Sequence, residues 1–97
     1  MYTSIMSKYT FLPLTSITSQ LPEIRSSNVS VRAREPSQFL DQYRAVRGSG
    51  AALPEKWISK RNAFIDRTLA AYIKNPTRRR WLSMIVWAYY AHPMPPK

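Results

Sequence analysis

Apolar residues recur along the C-terminal two-thirds of the chain with the spacing of amphipathic helices. The first such segment covers residues 37–47, where Pro36 suits the opening turn and Gly48 is placed to end the helix in the left-handed conformation. The composition of residues 49–52 predicts a flexible connector. The apolar positions that share one face at the helical period are Phe39, Leu40, Tyr43 and Val46.

The next segment, residues 54–74, combines an apolar side with a basic stripe. Its large apolar residues fall within one half of a helical wheel drawn at about 100° per residue. Arg61 lies in that apolar half, where we expect its aliphatic stem to pack and its charged head to reach the rim. The cations that cluster on another side of the wheel are Lys56, Lys60, Arg67 and Lys74.

Asn75 and Pro76 break this pattern, and a third helix is predicted over residues 77–91. The residue before a proline is disfavoured in the helical region, whereas Asn75 can cap a new helix and Pro76 can occupy its first position. The two helices are therefore sequential neighbours across a short joint.

The third helix is apolar around almost its whole circumference. A helix on the surface of a small protein should have one polar face, yet Ser83 is the one polar residue after the first turn. Two interpretations remain open. Either residues 1–35 fold over this helix and bury it, or a side carrying Trp87 and Tyr90 is exposed to a partner, since exposed aromatic residues beside arginines are common at interfaces.

The two ends of the chain lack a helical pattern. Residues 1–35 are rich in Ser and Thr, and we expect an irregular arm in which residues 9–12 and 29–31 can form short strands. We expect residues 36–91 to form a small helical domain and residues 92–97 to form a Pro-rich, extended tail. The predicted fold class is mostly α, with about three helices after the arm. X-Pro bonds also make a prolyl isomerase a candidate contact.

The composition excludes most catalytic and metal chemistry. The 97 residues include no cysteine and one histidine, so a thiolate nucleophile and a multi-His metal site are ruled out. Glu55 and Asp66 would lie about 16 Å apart along one helix, too far for a cooperating carboxylate pair. The longest apolar run, residues 81–91, covers only about half of a bilayer core. We expect no enzyme activity, no cofactor and no membrane association.

The charge points to an anionic partner. Fifteen Lys and Arg against five Asp and Glu give a formal net charge of +10, which draws a protein toward polyanions. The run RRR at residues 78–80 falls in the first turn of a helix, where each cation costs about 0.3–1 kcal/mol at low salt unless an anion lies nearby. The candidate partner-binding residues are Arg78, Arg79, Arg80, Trp87, Tyr90, Lys56, Lys60, Arg67 and Lys74.

Three classes of partner fit these residues. The break at Asn75 and Pro76 suggests a helix-turn-helix, but the second helix lacks polar side chains that reach base edges beyond its first turn. Sequence-specific DNA recognition is therefore not expected. Nonspecific DNA contact remains an alternative to a protein partner. A protein with acidic patches fits the aromatic residues better. A third alternative is a small subunit of a larger assembly.

The whole chain resembles the small anti-RecBCD proteins of lambdoid phages. The resemblance rests on the length, the basic cysteine-free composition, and the segments LPEKW at residues 53–57, RRRW at 78–81 and MPPK at 94–97. It implies a phage-encoded protein that binds the host RecBCD complex, through its RecC subunit, in the bacterial cytoplasm. It also implies that nuclease and recombination activity are altered while the helicase persists. The resemblance gives no individual residue a role.

Overall fold

A computed structural model describes residues 9–89 of the chain. The mostly α class is confirmed, and no strand occurs within this range. The predicted Pro-rich tail lies outside the described residues. The elements are the helices α1 (Leu14–Ser27), α2 (Val31–Arg34), α3 (Phe39–Ala45), α4 (Glu55–Lys74) and α5 (Arg78–Val86), with a 3₁₀ turn at Gly50–Ala52 between α3 and α4.

The N-terminal arm contains a helix that the sequence pattern does not reveal. The prediction of an irregular arm fails for Leu14–Ser27, which form α1 with Pro22 inside it. Proline removes one hydrogen bond of the helical ladder, so this position argues against a helix in isolation. Burial outweighs that cost, because Ile17, Leu21 and Ile24 recur at helical spacing and all three are buried.

The two short strands allowed by the sequence do not form. The main-chain N–H of Leu12 donates to the carbonyl of Ala88 at 2.9 Å, so residues 9–12 lie against the end of α5 and have no hairpin partner. Val29 is buried before α2, and Val31 is the first residue of that helix. The carbonyl of Val29 accepts a hydrogen bond from Nε of Arg34 at 3.0 Å, so neither segment pairs with a strand.

The predicted helices are found, with shorter ends. α3 covers Phe39–Ala45, and Gly48 beyond it has the expected positive φ of 76°. α5 ends at Val86 because Ala88 turns to a left-handed φ of 61°, which lets the N–H of Tyr89 donate to the carbonyl of Met84 at 3.0 Å. The last residues of the predicted third helix lie outside the described range.

The connector between α3 and α4, predicted as a flexible segment, contains a 3₁₀ turn with one buried residue. Gly50 is buried, and a Cβ atom at this position would overlap the ring of Phe11. A glycine is therefore required here by the close approach of an aromatic ring.

α5 packs against both α1 and α4. The arm therefore covers part of the apolar surface of the third helix. Trp87 at the end of α5 is half-buried, so the exposure of this side to a partner stays a prediction. Tyr90 lies outside the described residues. The buried residues of α5 are Trp81, Leu82, Met84, Ile85 and Val86.

Arg61 of α4 is fully buried, and its guanidinium binds main-chain carbonyls from both ends of the described chain. The expectation that its head reaches the rim is wrong, because residues 9–10 and 87–88 close over it. The guanidinium carbon also lies 3.8 Å from the centroid of the Phe11 ring. The acceptors are the carbonyl oxygens of Tyr9 (3.0 Å), Thr10 (2.5 Å), Trp87 (2.7 Å) and Ala88 (2.9 Å).

The Arg61 side chain is charged at neutral pH despite its burial. Loss of hydration on burial lowers the pKa of this guanidinium to about 10. That value is still well above neutrality, so the hydrogen bonds to the carbonyls are charge-assisted. Arg61 thereby fastens the N-terminal segment and the end of α5 to α4.

We expect Arg61→Leu to lower the free energy of unfolding by about 3–5 kcal/mol, because several buried carbonyls lose their donor at once. The free energy of unfolding of Arg61→Lys should lie between those of Arg61→Leu and the parent, since one ammonium group cannot reach all the acceptors. Urea unfolding followed by circular dichroism measures both. Arg25→Leu, on an exposed position of α1, serves as the control and should shift stability by about 0.5 kcal/mol or less. Equal stability of the Leu variants at both positions would contradict the role given to Arg61.

Candidate functional site

The first of the three consecutive arginines is engaged within the chain. Arg78 lies at the start of α5 and faces Glu23 of α1 in a bidentate pair. Its Nη2 donates to Oε1 of Glu23 at 2.7 Å, and its Nε donates to Oε2. This bond raises the pKa of the Arg78 guanidinium. The anion that the sequence predicts beside this arginine is therefore supplied by the arm of the same protein.

The other two arginines contact the C-terminal ends of neighbouring helices. Arg79 donates to the carbonyl of Ser27, the last residue of α1, and Arg80 donates to the carbonyl of Asn75, just after α4, at 2.9 Å. Helix C-termini carry partial negative charge, so both contacts offset the unfavourable position of cations at the start of α5. Arg79 remains exposed, and neither cation is paired with a carboxylate among the described contacts.

Two adjoining grooves run along α4. The α4–α5 groove has a volume of about 720 Å³, and the α2–α4 groove has a volume of about 400 Å³. They share Phe64 and Arg67, so together they form one continuous surface, here called the basic–aromatic surface. None of the described residues that line it is acidic. Its cations are Arg32, Lys60, Arg67, Arg79 and Arg80.

Aromatic residues form part of the floor of this surface. Phe64 and Trp87 stack with their centroids 5.0 Å apart and an interplanar angle of 21°. Trp87 also contacts Phe39 of the core, with the two ring centroids 4.7 Å apart. The ring of Trp57 is covered by the ammonium group of Lys60, 4.9 Å from its centroid. The floor is thus partly apolar, with its aromatic rings packed on one another and on the core.

The structure brings together only part of the set predicted from the sequence. The basic–aromatic surface contains Lys60, Arg67, Arg79, Arg80 and Trp87. Lys56 lies beside Trp57, 5.6 Å from the ring centroid, and Lys74 is exposed at the end of α4, but neither lines a groove. Arg78 points to Glu23, and Tyr90 lies outside the described residues.

Among the cationic and aromatic residues that line the surface, three were not predicted as site residues, namely Arg32, Trp57 and Phe64. Arg32 belongs to the arm, whose helical structure the pattern does not show, so its approach to α4 could not be inferred. Phe64 falls on the apolar half of the helical wheel of α4, so the sequence predicts a buried core side chain. In the structure it is only half-buried and lines both grooves.

Comparison with models of protein families, with curated proteins and with solved structures found no match. Within residues 9–89, no helix has the length and apolar character needed to cross a membrane. Across the same range, no group of three or more His, Cys, Asp and Glu residues is placed to hold a metal ion. The functional interpretation therefore depends on the chemistry of the basic–aromatic surface.

A double-mutant cycle tests the structural role of Arg78. We expect Arg78→Ala and Glu23→Ala to be coupled by about 0.5–1 kcal/mol in the free energy of unfolding, a small value because the pair is partly exposed. The coupling should decrease as salt is added. Arg44→Ala with Asp41→Ala is the matched control, because that pair is more exposed and its closest contact is 3.6 Å, and its coupling should be smaller. Absence of coupling between Arg78 and Glu23 would contradict the assignment.

Proposed function

We propose that this chain is a phage-encoded, non-catalytic protein that binds the host RecBCD complex through the basic–aromatic surface. The observation that carries the proposal is the surface itself, in which cations surround the stacked Phe64 and Trp87 and no described lining residue is acidic. Arginine and tryptophan supply much of the binding energy at protein interfaces. The resemblance of the sequence to anti-RecBCD proteins supports the choice of complex and of its RecC subunit.

The charge distribution supports an acidic partner. Of the few carboxylates, Glu23 binds Arg78, Asp41 lies near Arg44, and Asp66 accepts a hydrogen bond from the hydroxyl of Tyr9. None of the five carboxylates of the chain lines either groove, so the cations there have no acidic neighbour among the lining residues. A positive patch of this kind steers a negatively charged partner and increases the rate of association.

Binding of RecBCD should alter its exonuclease and recombination activity without chemistry by this chain. A protein bound to a subunit of a nuclease can block a path that the DNA takes. It can also shift the conformational equilibrium of the enzyme, because it binds one conformation more tightly than another. This part of the proposal is supported by the resemblance in sequence, and the surface supplies the means of attachment.

A charge-reversal experiment tests the proposal. We expect purified RecBCD to bind the immobilised chain, and Lys60→Glu with Arg67→Glu to weaken binding about tenfold or more, because two contacts become repulsive. Arg25→Glu with Arg44→Glu changes the net charge equally but alters residues that line neither groove, and this control should retain binding within about twofold. Circular dichroism establishes that all variants fold. No binding of the parent at micromolar concentration would contradict the proposal.

Nonspecific nucleic-acid binding is the second candidate, favoured by the same row of cations. Sequence-specific reading by α5 is disfavoured, because the residues after its first turn are largely buried and cannot enter a groove of DNA.

We expect DNA binding, if it is the function, to weaken steeply with salt, with a slope of about −0.9 in log K against log salt for each phosphate contacted. Titration of a labelled duplex of arbitrary sequence at several salt concentrations measures the slope. Undetectable or salt-insensitive binding would reject this candidate.

A further inference from the structure

The α4–α5 groove has the dimensions of an extended peptide. The groove follows α4 from Phe64 to Ala71, a stretch about 11 Å long at 1.5 Å per residue. An extended chain rises about 3.3 Å per residue, so roughly three residues match this length. The volume of about 720 Å³ leaves room for their side chains.

The groove separates charge from apolar surface. Arg67 on α4 and Arg79 and Arg80 on α5 supply cations, while Phe64 and Ala71 on α4 supply apolar atoms. In an extended peptide, successive side chains point to opposite sides. A peptide that alternates acidic and apolar residues can therefore place carboxylates on the arginines and apolar groups on the floor.

The aromatic rings of the surface are poorly placed for nucleic-acid bases. Proteins that bind single strands use open aromatic faces on which bases stack. Here Phe64 and Trp87 stack on each other, Trp87 also contacts Phe39, and Lys60 covers the ring of Trp57. Trp87 occupies one face of Phe64, and Trp57 and Trp87 both have partners within the protein, so a single strand would find fewer open faces for its bases than such proteins offer.

From these observations we infer that the α4–α5 groove binds an extended acidic segment of the protein partner, with carboxylates on Arg67, Arg79 and Arg80 and an apolar side chain against Phe64. This inference rests on the proposed function, because it names the part of the partner that the basic–aromatic surface recognises. Bidentate pairing with carboxylates suits the arginines that line this groove.

The probe is a fluorescent peptide of about nine residues with a repeating Glu-Leu sequence, long enough to span the groove. We expect it to bind the full chain, and Arg67→Glu with Arg79→Glu to weaken binding about tenfold or more. Arg25→Glu with Arg44→Glu, the charge-matched control, should bind within about twofold of the parent. A Gln-Leu peptide of the same length should bind much more weakly, because it lacks the carboxylates.

Several results would overturn the inference. If the Gln-Leu peptide binds as tightly as the Glu-Leu peptide, the groove does not recognise carboxylates. If Arg25→Glu with Arg44→Glu weakens peptide binding as much as Arg67→Glu with Arg79→Glu does, net charge alone decides affinity. A single strand of thymidylate nucleotides that binds more tightly than the Glu-Leu peptide, with binding lost in Arg67→Glu with Arg79→Glu, would assign the groove to phosphates.

A competition experiment separates this inference from the proposed function. We expect excess Glu-Leu peptide to displace the chain from RecBCD. If RecBCD binds the parent but the peptide neither binds nor competes, the inference fails and the proposed function stands. If the peptide binds in the groove but RecBCD does not bind the chain, the groove chemistry stands and the proposed function fails.

Discussion

The fold depends on one buried cation. Arg61 gives up its hydration, a cost of several kcal/mol for an ion of this kind, and regains hydrogen bonds to carbonyls of residues 9–10 and 87–88. Those carbonyls come from opposite ends of the described chain, so the side chain fastens both to α4. It also fixes the turn after α5 that places Trp87 against Phe64. The floor of the basic–aromatic surface is thus built on a contact made in the interior.

The excess positive charge has two uses in this structure. Arg61 and Arg78 are structural, since one binds buried carbonyls and the other binds Glu23 across the contact between α1 and α5. Lys60 and Arg67 line grooves in which no described residue is acidic. Arg61 and Arg78 are weak candidates for binding, because a partner would have to replace several buried hydrogen bonds of the first or the bidentate carboxylate pair of the second.

Helical periodicity made the mostly α class and the positions of α3 and α4 predictable, because both helices bury a regular apolar stripe. The start of α5 was predictable from the break at Asn75 and Pro76. Periodicity also placed Lys60 and Arg67 on one side of α4. The same reasoning missed α1, in which Pro22 and many Ser and Thr residues obscure three buried apolar positions. It could not find the partner of Arg78, since Glu23 lies far away in sequence and is brought close only by the packing of α1 on α5.

The sequence by itself determined the helical class, the absence of cysteine chemistry and the large positive charge. Local propensity, hydrophobic period and composition decide these properties one segment at a time. Only the tertiary structure decided that α1 covers α5, that Arg61 is buried, and that Arg32 joins the cations of α4 around Phe64. Each of these depends on which distant segments share a surface, and burial energy summed over the whole fold selects that arrangement.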